Sequence, residues 1–256
     1  MKSFELTVAP NGARRGRRDH PALPLTSAET AATAAACQRA GADALHLHVR
    51  DGAGRHSLDA GRYREAMAAV GELAPGMAVQ ITTEAAGIYD VAAQHACLAA
   101  LRPGAASISV REMARDAALA ARVYALCDEA GTRVQHILYG PGCIRQLAAW
   151  RRAGVIRPGQ NEVLCVLGQY APAIPGRPDD LAGFLSLLQG QSLRWAACAF
   201  GGAEQACLLK ALALGGDVRI GFENNLRAPD GTLFADNAAS VAAFLAAAGY
   251  APKTRA

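Results

Sequence analysis

Eight short apolar runs, near 4–9, 44–49, 77–82, 105–110, 133–138, 162–167, 194–199 and 217–222, recur along this chain. Each is followed by a helical stretch, near 27–40, 59–73, 90–101, 115–130, 143–153, 179–189, 203–214 and 236–248. Helix starts are marked by Thr26-Ser27-Ala28-Glu29, a capping-box pattern, and by Asp59, Asp90 and Asp179. Helix ends are marked by glycine after Ala40, Ala130 and Ala153 and by Gly215-Gly216. Strands that are apolar on both faces belong to a parallel sheet covered on both sides. Eight such units without a break in rhythm predict an α/β fold of one domain over residues 1–256, a closed (β/α)8 TIM barrel, for which 256 residues is the usual length. A doubly wound open sheet shares the repeat and is the alternative. Against it, no Gly-x-Gly-x-x-Gly pattern follows the first strand.

Composition narrows the classes of function. Hydrophobic residues make up 52% of the chain and aromatics 5%. Alanine supplies much of the apolar share, which suits helices packed closely on a sheet. No window approaches the ~20 uninterrupted apolar residues of a membrane span, and Met1-Lys2-Ser3-Phe4 leads straight into a strand pattern with no leader-like segment. Seven cysteines, at 37, 97, 127, 143, 165, 198 and 207, occur singly. That scatter points to reduced thiols in a cytoplasmic protein, not to disulfides or a thiolate zinc site. Net charge is +4. Its one basic cluster, Arg14-Arg15-Gly16-Arg17-Arg18, has no interleaved aromatics to stack bases, which argues against nucleic-acid binding.

In a barrel, chemistry sits where the strands end. The second strand reads Leu45-His46-Leu47-His48-Val49-Arg50-Asp51, and alternation along a strand puts His46 and His48 on one side. Two imidazoles at that spacing are good zinc ligands, and a carboxylate commonly completes a catalytic set. The eighth strand supplies one: Arg219, Gly221 and Glu223 share a side, and strands 8 and 2 both flank strand 1 in a closed barrel. A Glu223 buried there would be ionised against a metal or an arginine. The other strand ends contribute Asn11 and Gly12, Thr82-Thr83-Glu84, Ser107, Ser109 and Arg111, Gln135 and His136, and Gly201-Gly202. Hydroxyls and arginine at one mouth suit a small anionic or carbonyl-bearing substrate, although Glu84 and Arg111 can also simply pair with each other. His20, His56 and His95 read as surface or loop histidines.

These motifs resemble the β-keto acid cleavage enzymes, which include 3-keto-5-aminohexanoate cleavage enzyme. The matching segments are Val8-Ala9-Pro10-Asn11-Gly12, Leu23-Pro24-Leu25-Thr26, His46 through Asp51, Gln80-Ile81-Thr82-Thr83, Val166-Leu167-Gly168 and Arg219 through Asn225. They follow the family's order over nearly the whole chain. The resemblance implies one zinc per chain on His46, His48 and Glu223, acetyl-CoA as cosubstrate, and a homotetramer. It further implies conversion of a β-keto acid and acetyl-CoA into acetoacetate and an acyl-CoA. Arg219 would stabilise developing negative charge, and Asn11, Arg14, Thr82, Ser107 and Arg111 would line the substrate pocket.

The chain departs from that pattern in places. Arg14 stands where family members carry an acid after strand 1, and Ile137 where they carry a glutamate on strand 5. With Arg14 and Arg111 near the mouth, an uncharged or anionic acyl tail is expected. Asn224 replaces an aspartate and cannot act as a base, so Glu84 is the candidate for that role. The turn Phe200-Gly201-Gly202-Ala203-Glu204 lacks an arginine often found there. Metal-dependent hydrolysis, cleavage without CoA, or a non-catalytic metabolite-binding barrel are the other readings open to the sequence.

Overall fold

The structure is a computed structural model that describes residues 4–250. Eight parallel strands close on themselves in the order β1 (Leu6–Val8), β2 (Ala44–Leu47), β5 (Ala78–Thr82), β6 (Ala105–Ser109), β7 (Arg133–Leu138), β8 (Glu162–Gln169), β10 (Arg194–Ala199) and β11 (Asp217–Ile220). The β10–β8 and β11–β1 pairings complete the ring, so the closed barrel is correct and the open sheet is not. Two short hairpins decorate it: β3 (Val49–Arg50) with β4 (His56–Ser57), and β9 (Ile174–Pro175) folded back on the end of β8. Around the barrel lie α1 (Ser27–Ala40), α2 (Ala60–Leu73), α3 (Val91–Leu101), α4 (Val110–Met113) and α5 (Ala117–Glu129). They are followed by α6 (Pro141–Arg152), α7 (Asp180–Leu188), α8 (Glu204–Ala213) and α9 (Asn237–Ala247). Among the described residues no helix is long and apolar enough to cross a membrane.

The caps form as read. Thr26 accepts from the Glu29 amide while the Glu29 carboxylate accepts from Thr26, and Asp59 and Asp90 each cap a first turn. Asp179 precedes α7 without making a side-chain cap. Three boundaries differ from the periodicity. The helix expected over 115–130 forms as α5, but the strand expected over 105–110 stops at Ser109, because Ser109 Oγ accepts from the Glu112 amide and starts the short α4 directly after β6. The second strand stops at Leu47, and beyond His48 the chain turns into the β3–β4 hairpin. The eighth stops at Ile220, where Gly221 adopts φ +138°. A Cβ at Gly221 would lie 2.5 Å from the Ala9 carbonyl oxygen, so no side chain fits that crossing.

Register divides the strand residues into two sets. The set facing outward, such as Leu6, Val8, Leu45, Leu47, Ile81 and Ile108, is buried under the helices in the main core. The inward set is split across the lumen. One wall is apolar, with Ile137, Leu164, Val166, Ala196 and Cys198 in a cluster of their own. Another stretch of wall carries His46 paired in register with Gln80, Thr82 with Ser107 and Ser107 with Gln135, and Arg219, which is related to β2 through Thr7 and Ala44. The strands' N-terminal end is closed by ion pairs of Arg133 with Glu5 and Glu162, and of Arg194 with Glu5 and Asp217. All open chemistry is therefore at the other end.

Candidate metal centre

His46 and His48 leave the end of β2 with their Nε2 atoms 3.1 Å apart. Gln80, the register partner of His46 on β5, accepts from His46 Nδ1 at 2.9 Å. An amide oxygen can only accept, so Nδ1 carries the proton and Nε2 keeps its lone pair. Burial, then the Arg219 charge, holds the His46 pKa well below the usual imidazole range, so the ring is neutral. The Gln80 amide in turn reaches Gln135 Oε1 at 3.4 Å, fixing its own orientation. An outer partner of this kind orients a metal-binding imidazole.

Glu223 approaches from the turn after β11, not from the strand itself. Its Oε1 is 3.5 Å from His48 Nε2 and its Oε2 3.7 Å from His46 Nε2. Gly12 makes room: a Cβ there would stand 2.6 Å from Glu223 Cγ. Burial would raise the Glu223 pKa, but Arg219, 3.9 Å from Oε2, and the two histidines hold it well below the usual carboxylate range. The acid is ionised. One ligand atom from each of His46, His48 and Glu223 falls within 4.8 Å of the others. Glu223 Oε2 and His48 Nδ1 are buried without hydrogen-bond partners. Two imidazole Nε2 atoms and a carboxylate facing one another are a donor set suited to a divalent metal ion.

The turn carrying Glu223 is braced by two helices. Glu223 N donates to Ala9 O at 3.0 Å. Asn237, fully buried at the start of α9, accepts from Phe222 N at 2.9 Å and donates to Pro10 O at 3.1 Å. Glu204, at the start of α8, accepts from Gly221 N and from Asn225 Nδ2, both at 3.3 Å. It is 1% exposed, and burial pushes its pKa up to about 8. Sign follows from linkage. Between the ordinary carboxylate pKa and about 8 the folded chain binds more protons at Glu204 than the unfolded chain, so stability falls as pH rises through that window. Thermal unfolding should show the wild type losing stability relative to Glu204→Gln between pH 5 and 8. Parallel curves across that range would contradict the assignment.

A cavity of about 100 Å³ lies beside Glu223, which lines it together with Gly12, Arg14, Glu84, Arg111, Tyr139 and Arg219. Arg219 is 5% exposed, and its Nε and Nη1 are buried without partners. Arg111 lies over the Tyr139 ring, 3.4 Å from its centroid, and does not pair with Glu84. Glu84 pairs instead with Arg14, at 3.6 Å. Burial raises the Glu84 pKa, and Glu223 raises it further. Asn11 borders the cavity, but its amide nitrogen is spent on Pro24 O at 2.9 Å.

Other expected pocket residues stand elsewhere. Thr82 and Ser107 lie in the barrel wall, outside the cavity lining, and Thr82 Oγ1 accepts from the Glu84 amide. Asn224 is fully buried, with both side-chain polar atoms unpartnered, and borders a neighbouring groove, not the cavity beside Glu223. His20 and His56 are buried at 4% and 5% exposure and are not surface residues. His56 Nε2 contacts the Glu84 carbonyl at 2.8 Å, and its ring packs on His48. His136 faces outward from the barrel and bonds Gln160 O.

Sequence reasoning missed Gln80, Arg50 and Tyr170 as site builders. Arg50 ties the loop after β1 to β3 by donating to the carbonyls of Gly12, Arg15 and Gly54. A glutamine inside an apolar strand was a legible signal for Gln80. Nothing local marked Tyr170.

A family profile described as beta-keto acid cleavage enzyme matches residues 4–254. The chain belongs to that family. Family membership makes it an enzyme of carbon–carbon cleavage and acyl transfer. It is 28% identical over 249 residues to 3-oxoadipate:acetyl-CoA acetyltransferase of Cupriavidus necator, covering 92% of this chain and 85% of that one. It is 27% identical over 244 residues to 3-keto-5-aminohexanoate cleavage enzyme of Fusobacterium nucleatum, covering 93% and 88%. Among solved structures, ObcA bound to oxaloacetate superposes with a TM-score of 0.60 at 18% identity. That match covers 90% of this chain and 65% of ObcA, so the family chain spans just under two thirds of ObcA's length. 3-Dehydroquinate dehydratase of Geobacillus kaustophilus gives 0.62 at 13% identity, covering 99% and 93%. Both structures share the barrel.

Proposed function

We propose that the chain is a zinc-dependent β-keto acid cleavage enzyme that converts a β-keto acid and acetyl-CoA into acetoacetate and an acyl-CoA. The observation that carries the reading is the convergence of His46, His48 and Glu223, the last of which lines a cavity edged by Arg14, Arg111 and Arg219. When bound, zinc supplies Lewis-acid polarisation at the substrate's keto and carboxylate oxygens. Arg219, which lines the cavity and has two N–H donors without partners, stabilises negative charge that develops on the keto oxygen. Glu84, with its pKa raised by burial, takes a proton from the carbon between keto and carboxylate groups. Arg14 holds Glu84 at the cavity mouth. Val166 and Phe200 form the apolar wall that keeps water from the carbanion.

The acyl tail is neutral or anionic. Cations edge the mouth, and Ile137, inward and 5% exposed, leaves no carboxylate on β7 to meet an ammonium group. Of the two relatives, the one named for 3-oxoadipate, a dianion, is closer to this chemistry than the one named for an aminated keto acid. Like-charge juxtaposition costs several kcal/mol, so kcat/KM should favour an anionic tail over a cationic one by at least about 100-fold. The test is acetoacetate release from a panel of β-keto acids matched in length and differing in tail charge, with zinc and acetyl-CoA supplied. No acetoacetate from any of them would end the reading. Preference for the cationic tail would end the charge assignment alone.

A further inference from the structure

Glu84, assigned to proton transfer above, stands on a short segment, residues 82–85, at the end of β5. Its carboxylate lines the cavity, where Arg14 is its ion-pair partner at 3.6 Å. The Arg14 side chain is 44% exposed, so that tether alone fixes little. The backbone beneath the carboxylate is held much more firmly. The peptide joining Thr83 to Glu84 is pinned at both ends: its carbonyl accepts from Gln94 Nε2 at 2.5 Å, and its N–H donates to Thr82 Oγ1 at 3.0 Å. The peptide joining Glu84 to Ala85 is pinned likewise. Its carbonyl accepts from His56 Nε2 at 2.8 Å, and its N–H donates to Glu112 Oε2 at 3.0 Å. With both flanking peptides fixed, the direction of the Glu84 Cα–Cβ bond is fixed too.

His56, Gln94 and Glu112 do not line the cavity. Glu112 belongs to α4, which places Arg111 on Tyr139 at the cavity and the next residue, Glu112, on Ala85. The same Glu112 oxygen accepts from Gln94 Nε2 at 2.8 Å, so the two clamps are joined. Gln94 is fully buried on α3, and its Oε1 accepts from Arg115 Nη2 at 3.1 Å. Arg115 also donates to the carbonyls of Glu112 and Tyr89, closing the cluster from the surface. Just past Ala85, Ala86 takes φ +50°, in the left-handed region. A residue with a side chain is disfavoured there and persists where its surroundings over-determine it. A plain connection from β5 to α3 needs none of this, because an apolar turn would close it without enclosing a carboxylate.

We propose that Glu112, supported by Gln94 and Arg115, is a positioning residue that aims the Glu84 carboxylate at the carbon losing its proton. The inference rests on the reading of Glu84 as the base. A general base must come within hydrogen-bond reach of the proton it takes, and Glu112 acts through the one peptide that joins Glu84 to the turn.

The test uses zinc-loaded protein and two readouts. One is acetoacetate release with acetyl-CoA. The other is exchange of the hydrogens between the keto and carboxylate groups with deuterated solvent, above the spontaneous rate and without acetyl-CoA. Misplacing a reacting group by about 1 Å can cost about 10²-fold. Glu112→Ala should therefore lower kcat and exchange by about 30- to 100-fold, with zinc content and the KM for the β-keto acid little changed. Glu112→Gln keeps an oxygen acceptor for Ala85 and Gln94 and should restore both rates to near wild type. Arg115 is exposed, so Arg115→Ala folds whatever happens at Glu112, and it should lower the same rates by a smaller factor. Combined with Glu84→Gln, neither change should add to the loss that Glu84→Gln causes alone. Wild-type rates in Arg115→Ala, or losses that add to that of Glu84→Gln, would overturn the proposal and leave Glu84 as the base. Glu84→Gln as active as wild type in both readouts, or a wild type inactive in both, would defeat the base reading and the positioning role with it.

Discussion

His46→Ala protein is expected to lose its zinc and at least about 10³-fold in kcat/KM, while remaining folded. The variant keeps His48 and Glu223, but two ligands do not make a three-point site, and Gln80 loses the imidazole it orients. A metal ion's polarisation is worth several kcal/mol of transition-state stabilisation, and each 1.36 kcal/mol is tenfold in rate. Elemental analysis and the acetoacetate assay check both halves. A graded companion is Gln80→Leu, which leaves all three ligands but removes the outer partner. It should weaken metal affinity by roughly 10- to 100-fold. Equal metal content in wild type and His46→Ala would show that the histidine pair is structural.

Arg219→Met is expected to destabilise the barrel by about 3–5 kcal/mol and to abolish turnover. Arg219 is 5% exposed and faces Glu223 at 3.9 Å. Removing one partner of a buried pair leaves the other charge uncompensated, which is what makes such losses large. Despite burial, Glu223 keeps the Arg219 pKa above its ordinary value, so the pair is charged on both sides throughout the accessible pH range. The double variant Arg219→Met/Glu223→Gln discriminates between causes. If the cost is an orphaned charge, the metal-free double variant should recover much of the stability lost by the single one, while activity stays absent. Denaturant unfolding of metal-free proteins measures this. Additive losses would mean that Arg219 supports the barrel by packing against Cys198 and the lumen, not by balancing Glu223.

Much of the fold was legible because each βα unit carries its own punctuation. The Thr26–Glu29 capping box and the asparates before α2 and α3 are local hydrogen-bond devices, and local chemistry reads directly from sequence. The histidine pair was legible for the same reason, since His46 and His48 are two residues apart. Boundaries failed where a distant group intervened. Val110 belongs to α4, not to β6, because Ser109 caps a helix there. The eighth strand ends early because the Ala9 backbone crosses Gly221.

By itself, then, the sequence determined the repeat, the closed parallel barrel it implies, the His46–His48 pair, Glu223 as the carboxylate that closure brings toward it, and the family pattern. Periodicity and spacing act over a few residues, so they survive without three-dimensional information. Only the tertiary structure decided which charges meet. Glu84 pairs with Arg14 instead of Arg111, Arg111 stacks on Tyr139, and Thr82 and Ser107 stay in the wall. It also decided that Tyr170 lies by Arg14 and Arg15, more than 150 positions earlier in the chain. Those pairings arise from the shear and closure of the barrel, which bring strand ends together from every part of the chain, and no local pattern records which neighbour a side chain will meet.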